Sequence, residues 1–124
     1  MEILAGDGEY LFRLFVAMVL GGAIGLERQK RGRSAGLRTN ILVCLGSAAI
    51  IIAFQKIFDA TDPGPASVIR MDPARAAAGV ITGIGFLGAG VILKTGVNVH
   101  GLTTAACLWV VAAVGMAAGG GWFA

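Results

Sequence analysis

From Ala76 to Leu93 the chain runs eighteen residues without a charged side chain. At about 1.5 Å per helical residue that is roughly 27 Å, close to the ~30 Å apolar thickness of a bilayer. In lipid each backbone N–H and C=O must be satisfied within the protein, so such a run reads as a membrane-spanning helix. Three other stretches are of the same kind. One covers about Tyr10 to Leu26 and is interrupted only by Arg13; another covers about Thr39 to Phe58, with Gln55 and Lys56 at its far end; the last begins at Leu102. The sequence therefore predicts an all-α fold, a polytopic membrane helical bundle of four transmembrane helices (about 10–26, 39–58, 76–93 and 102–122). Short loops join them into a single transmembrane domain over 1–124, with no soluble C-terminal domain in this chain. The charged fraction, 14%, is too small to keep the surface of a soluble domain of 124 residues wet.

Charge placement orients the bundle. Between the first two spans lies a loop with Glu27 as its single acid and five of the ten cations, Arg28, Lys30, Arg31, Arg33 and Arg38. Lys94 and His100 flank the loop between the last two spans. On the other side the N-terminal segment carries three acids before Arg13, and Lys56, Arg70 and Arg75 are balanced by Asp59, Asp62 and Asp72. The positive-inside rule puts the basic loop 27–38 in the cytoplasm and both termini outside. The excess of cations lies in one loop without aromatic residues, so orientation explains it better than nucleic-acid binding does.

The glycines recur at helical spacing. Ala17, Gly21 and Gly25 form a stripe on the first helix, Gly79 and Gly83 on the third, and Val111, Gly115 and Gly119 on the fourth, beside Ala113, Ala117 and Gly121. Each stripe is a flat face on which a neighbouring helix, or a second copy in a homo-oligomer, packs closely. The run Gly83-Ile-Gly-Phe-Leu-Gly88 matches a dinucleotide-binding fingerprint in letters only. It lies inside an apolar span, with no strand before it and no acid after it.

Four blocks in order carry a resemblance. Leu11-Phe-Arg-Leu-Phe-Val-Ala17 with Gly21-Gly-Ala-Ile-Gly-Leu-Glu-Arg28, then Ala35-Gly-Leu-Arg-Thr39 with Leu42-Val-Cys-Leu-Gly46, make the first two. Asp72-Pro-Ala-Arg75 leading into Gly83-Ile-Gly-Phe-Leu-Gly-Ala-Gly-Val-Ile92, and Gly101-Leu-Thr-Thr-Ala-Ala106 with Trp109, complete them. Together they resemble the MgtC/SapB family of bacterial inner-membrane proteins. The resemblance implies a role in adaptation to low magnesium and in virulence, with some members acting on the F-type ATP synthase. Two departures stand out: Asn40 occupies a position where the family pattern leads one to expect histidine, and family members usually continue into a fifth span, many with a C-terminal domain.

The orientation sorts the candidate site residues into two layers. A cytoplasmic polar cluster is expected from Glu27, Arg28, Arg38, Thr39, Asn40, Thr103 and Thr104. Gly36-Leu-Arg-Thr39 and Gly101-Leu-Thr-Thr104 share Gly-Leu-x-Thr at the starts of two spans, which suggests two related helical hairpins. Two helix N-termini with hydroxyls would favour an anion or carboxylate; the alternative is that the threonines only cap free backbone N–H groups. On the outer side the expected ion-pair cluster is Arg13, Asp72 and Arg75, with an Arg13–Asp72 bridge between the first and third helices. Cys44 and Cys107 fall at matching depths and read as buried packing, Trp109 as packing, and Trp122 as an interfacial anchor.

No cofactor, catalytic or metal site is expected. A magnesium path needs oxygen ligands, usually carboxylates, but Glu27 and Asp72 are placed at opposite faces. A nucleophile with its base is also lacking, which argues against an enzyme. The expected role is to bind and modulate a membrane partner; the alternative is a transporter or channel for magnesium or another small solute.

Overall fold

The computed structural model describes residues 2–60, 73–95 and 98–121. Its helices are α1 (Glu2–Lys30), α2 (Leu37–Ala60), α3 (Pro73–Val91) and α4 (Leu102–Gly119), and all four are long and apolar enough to cross a membrane. At 29 residues α1 is roughly 43 Å long, so its ends outreach the ~30 Å apolar layer. The helix starts well before Tyr10 because the polar turns around Asp7 and Glu9 are helical without being hydrophobic.

Each helix end has a local cause. At the end of α1, Gly32 takes a left-handed φ of 65°, and the bonds Gly32 N→Gln29 O and Arg33 N→Arg28 O close a Schellman motif. The free Leu37 N–H that opens α2 donates to Gln29 Oε1 at 3.2 Å. Gly101, with φ 86°, precedes α4 where the Val91 carbonyl occupies the space a side chain would need. The loop expected between the last two spans instead holds an antiparallel ribbon, β1 (Leu93–Thr95) with β2 (Asn98–His100), in which Lys94 faces Val99. Hydropathy carries no signal for so short a ladder.

α2 and α4 run parallel at the centre. α1 packs mainly on α2 and also on α4, while α3 leans on α4 and only lightly on α2. Small residues make the central contacts possible. A Cβ on Gly21 would stand 2.7 Å from Cys44 Cβ and 2.9 Å from the Asn40 carbonyl oxygen. One on Gly25 would stand 2.8 Å from Leu37 Cα, and one on Gly119 2.6 Å from the Ala48 carbonyl oxygen. Ala17, Cys44, Ala48, Val111 and Ala118 form the buried core of this seam. Because lipid is as apolar as the side chains, such contacts stabilise by van der Waals packing rather than by water expulsion.

The stripes on α1 and the Val111–Gly119 stripe on α4 therefore face neighbouring helices as expected. The third helix differs. Nothing lies within 4 Å of a Cβ added at Gly79 or Gly83. Both line an open hollow of about 370 Å³ between α2 and α3. Helical spacing identified their common face but not what lies opposite it.

Candidate functional site

At the basic-loop end, three elements bring polar groups into the bundle. Arg28, on the last turn of α1, donates from Nη2 to the Ser34 carbonyl at 2.8 Å and to Thr104 Oγ1 on α4. Its Nε is buried and has no partner. Asn40, fully buried on α2, donates from Nδ2 to the carbonyls of Ala35 (2.7 Å) and Gly36 (2.8 Å). On its other side, Cys107 Sγ points at Asn40 Oδ1 at 3.9 Å.

These contacts explain the shape of the loop. Ala35 has a φ of 54°, a left-handed conformation that costs an L-residue about 1–2 kcal/mol. The Asn40 amide offsets that cost by engaging both carbonyls around the turn. Arg28 then ties the same loop to α4 through Thr104. The interior of this end thus holds a guanidinium, an amide and a hydroxyl, with no carboxylate among the described contacts to Arg28.

The seven expected residues do not all converge. Arg28 and Thr104 bond each other, and Asn40 is buried beneath the same loop without a bond to either. Glu27 is exposed and pairs with Arg31, also exposed, at 3.4 Å. Arg38, Thr39 and Thr103 are likewise exposed. Capping is not what occupies the α4 threonines: the cap position is Gly101, with no side-chain cap bond, and Thr104 serves Arg28.

At the opposite end Arg13 is the hub. Its guanidinium bonds Glu9, Gln55 Oε1 (3.1 Å) and the Gly119 carbonyl (3.0 Å), so it joins α1, α2 and the last turn of α4. Its side chain is only 11% exposed. Beside it, Lys56 Nζ meets Asp7 Oδ1 at 2.5 Å and stands 5.2 Å from the Tyr10 ring centroid. Asp72, the partner expected for Arg13, lies outside the described residues, as does Trp122. Arg75 is exposed at the rim of the α2–α3 hollow. The sequence did contain one overlooked signal, the i,i+4 spacing of Glu9 and Arg13 on a helix. Among the described residues no three His, Cys, Asp or Glu side chains are grouped to hold a metal ion.

Comparison with known proteins agrees with the block pattern. A model of the MgtC family matches residues 14–124. The chain is 48% identical over 115 residues to the putative magnesium transporter YhiD of Escherichia coli K12, covering 93% of this chain and 53% of that protein. It is 48% identical over 114 residues to protein MgtC of Salmonella typhimurium LT2, covering 92% of this chain and 45% of the relative. With protein MgtC of Brucella abortus it shares 51% over 105 residues, 85% of this chain and 40% of the relative. The chain thus spans about half the length of these curated relatives. No solved structure matches it.

Proposed function

The chain belongs to the MgtC family, and on that premise we propose that it serves a bacterium as a membrane-embedded modulator, binding another membrane complex without catalysing a reaction. The observation that carries this reading is a face on α3 that no described residue covers. Thr82, Gly85, Phe86 and Ala89 fall on one side of the helix and are all exposed, Phe86 by 85%. A large aromatic between small residues is the kind of surface that meets another transmembrane helix closely. The family resemblance supplies the partner to test, the F-type ATP synthase, and the setting, adaptation to low magnesium and virulence. In this reading the protein sits in the inner membrane with both termini outside and the basic loop 27–38 in the cytoplasm.

A second reading is transport, since one relative is named a putative magnesium transporter. The described interior favours the first reading: its basic-loop end presents the Arg28 guanidinium, which repels a divalent cation. Two measurements separate them. With a photo-crosslinking residue at Phe86 in bacterial membranes, capture of a membrane subunit of the ATP synthase is expected. In liposomes carrying the purified chain, no magnesium flux is expected; flux that disappears in Glu27→Gln would replace the modulator reading with transport.

A further inference from the structure

Two hollows flanking α2 share Leu42 in their linings. The one at the basic-loop end, of about 410 Å³, is lined by Gln29, Leu37, Arg38, Ile41 and Leu42. The other, of about 370 Å³, continues from Leu42 between α2 and α3, past Gly46, Ile50, Gly79 and Gly83. The first has a cationic rim over an apolar floor. Arg38 is exposed there and makes no hydrogen bond or ion pair with a described residue, whereas Gln29 Oε1 is already engaged by the Leu37 N–H. The second hollow is lined mainly by apolar residues, with Ser47 in its wall and Arg75 at the rim of its far end, and Gly46, Gly79 and Gly83 have nothing within 4 Å of where a side chain would begin.

Two adjoining hollows that share Leu42, one with a cationic rim and one with a mainly apolar lining, match one kind of molecule. We propose that they bind a single anionic phospholipid, with the phosphate on Arg38 and an acyl chain lying over Leu42 into the hollow beside Gly46, Gly79 and Gly83. The dimensions agree. From Arg38 to the level of Gly46 and Ile50 is roughly 12–18 Å along the helix, against about 15 Å for one leaflet of the apolar layer.

Charge selects the headgroup. Lys30, Arg31 and Arg33 are exposed on the same loop, and its single acid, Glu27, is occupied by Arg31. A zwitterionic headgroup would bring a positive amine into this field, whereas an anionic one brings none. Each cation at the membrane surface contributes roughly a fivefold gain for an anionic lipid. The lipid assay is independent of which membrane complex the protein serves, because it uses the chain alone; Phe86 shares a stripe of α3 with Gly79 and Gly83 but does not line the hollow.

Native mass spectrometry of the full chain in non-ionic detergent tests the assignment. Phosphatidylglycerol and phosphatidylcholine with the same acyl chains are titrated separately, and glycerol phosphate is added as the headgroup without chains. One tightly held phosphatidylglycerol is expected, preferred over phosphatidylcholine and not displaced by glycerol phosphate. Arg38→Gln is expected to weaken phosphatidylglycerol about fivefold and leave phosphatidylcholine unchanged. Gly79→Leu, which fills the hollow, is expected to weaken both. Circular dichroism checks the helices, and Gly46→Leu repeats the measurement should Gly79→Leu lose helicity. Equal binding of the two lipids, displacement by glycerol phosphate, or variants that leave phosphatidylglycerol binding unchanged would overturn the proposal.

Discussion

Adding one methyl group at two glycines of the same chain should have opposite outcomes. In Gly21→Ala the new Cβ would fall 2.7 Å from Cys44 Cβ and 2.9 Å from the Asn40 carbonyl oxygen. Carbon atoms in contact prefer about 3.5–4.0 Å, so α1 and α2 must separate by about 1 Å. A gap of that size forfeits a quarter to a half of each dispersion contact beside it. The side chain cannot turn away, because a Cβ has no rotamer and one obstacle is backbone. The expected cost is that of overpacking, about 1–3 kcal/mol. In Gly79→Ala nothing lies within 4 Å of the new atom. There the change removes the conformational freedom of glycine in a helix and gains up to about 1 kcal/mol. Equilibrium unfolding of both variants in mixed detergent micelles, followed by circular dichroism, reads the difference as a gap of roughly 1–4 kcal/mol between them. If both variants shift stability equally, the α1–α2 seam is not held by glycine contact as described.

Three further outcomes follow from the polar contacts. Thr104→Val keeps the shape of the side chain but removes the hydroxyl that receives Arg28, and should cost about 1.5–3 kcal/mol in the same unfolding assay. Asn40→Leu leaves the Ala35 carbonyl without its amide partner at a strained turn; a loss of about 1–3 kcal/mol is expected, with faster hydrogen exchange at residues 33–40. Arg13→Lys should fail to restore what Arg13→Ala loses, because one ammonium lacks the guanidinium fork that reaches Glu9, Gln55 and the Gly119 carbonyl. Hydrogen exchange at residues 116–121 would report the loosened end of α4, and full recovery by lysine would contradict the three-way contact.

Much of this architecture was legible because lipid imposes it. The charge-free run to Leu93 and its three companions located the helices, and the spacing of Gly21 with Gly25 marked a face that does meet α2. Partners were harder to read. Gly79 and Gly83 have the same spacing as the α1 pair yet line an open hollow, since periodicity fixes which residues share a face and not what stands opposite. Arg13 was matched to Asp72, an acid expected at the same membrane face, whereas two of its three partners, Gln55 and the Gly119 carbonyl, become neighbours only once the helices pack. A backbone carbonyl has no letter in the sequence. Asn40 was expected in the polar cluster, but its role in holding the turn depends on the left-handed φ at Ala35, which no alanine advertises.

The bond from Arg13 to Gly119 also sets an order of events during biogenesis. Its two ends are separated by 106 residues. At about 5–20 residues per second a ribosome needs roughly 5–20 s to cover that distance. Throughout this interval α1 holds an arginine whose acceptor on α4 has not been made, and the translocon must accept a helix carrying a charge that costs roughly 2.5–3.5 kcal/mol when deep in lipid. Glu9, made four residues earlier, is the partner available from the start; the Gly119 carbonyl comes last. Closure of this contact therefore marks the moment at which α4 has docked, and a nascent chain stalled before α4 would carry the open arginine as a sign that this helix is still missing.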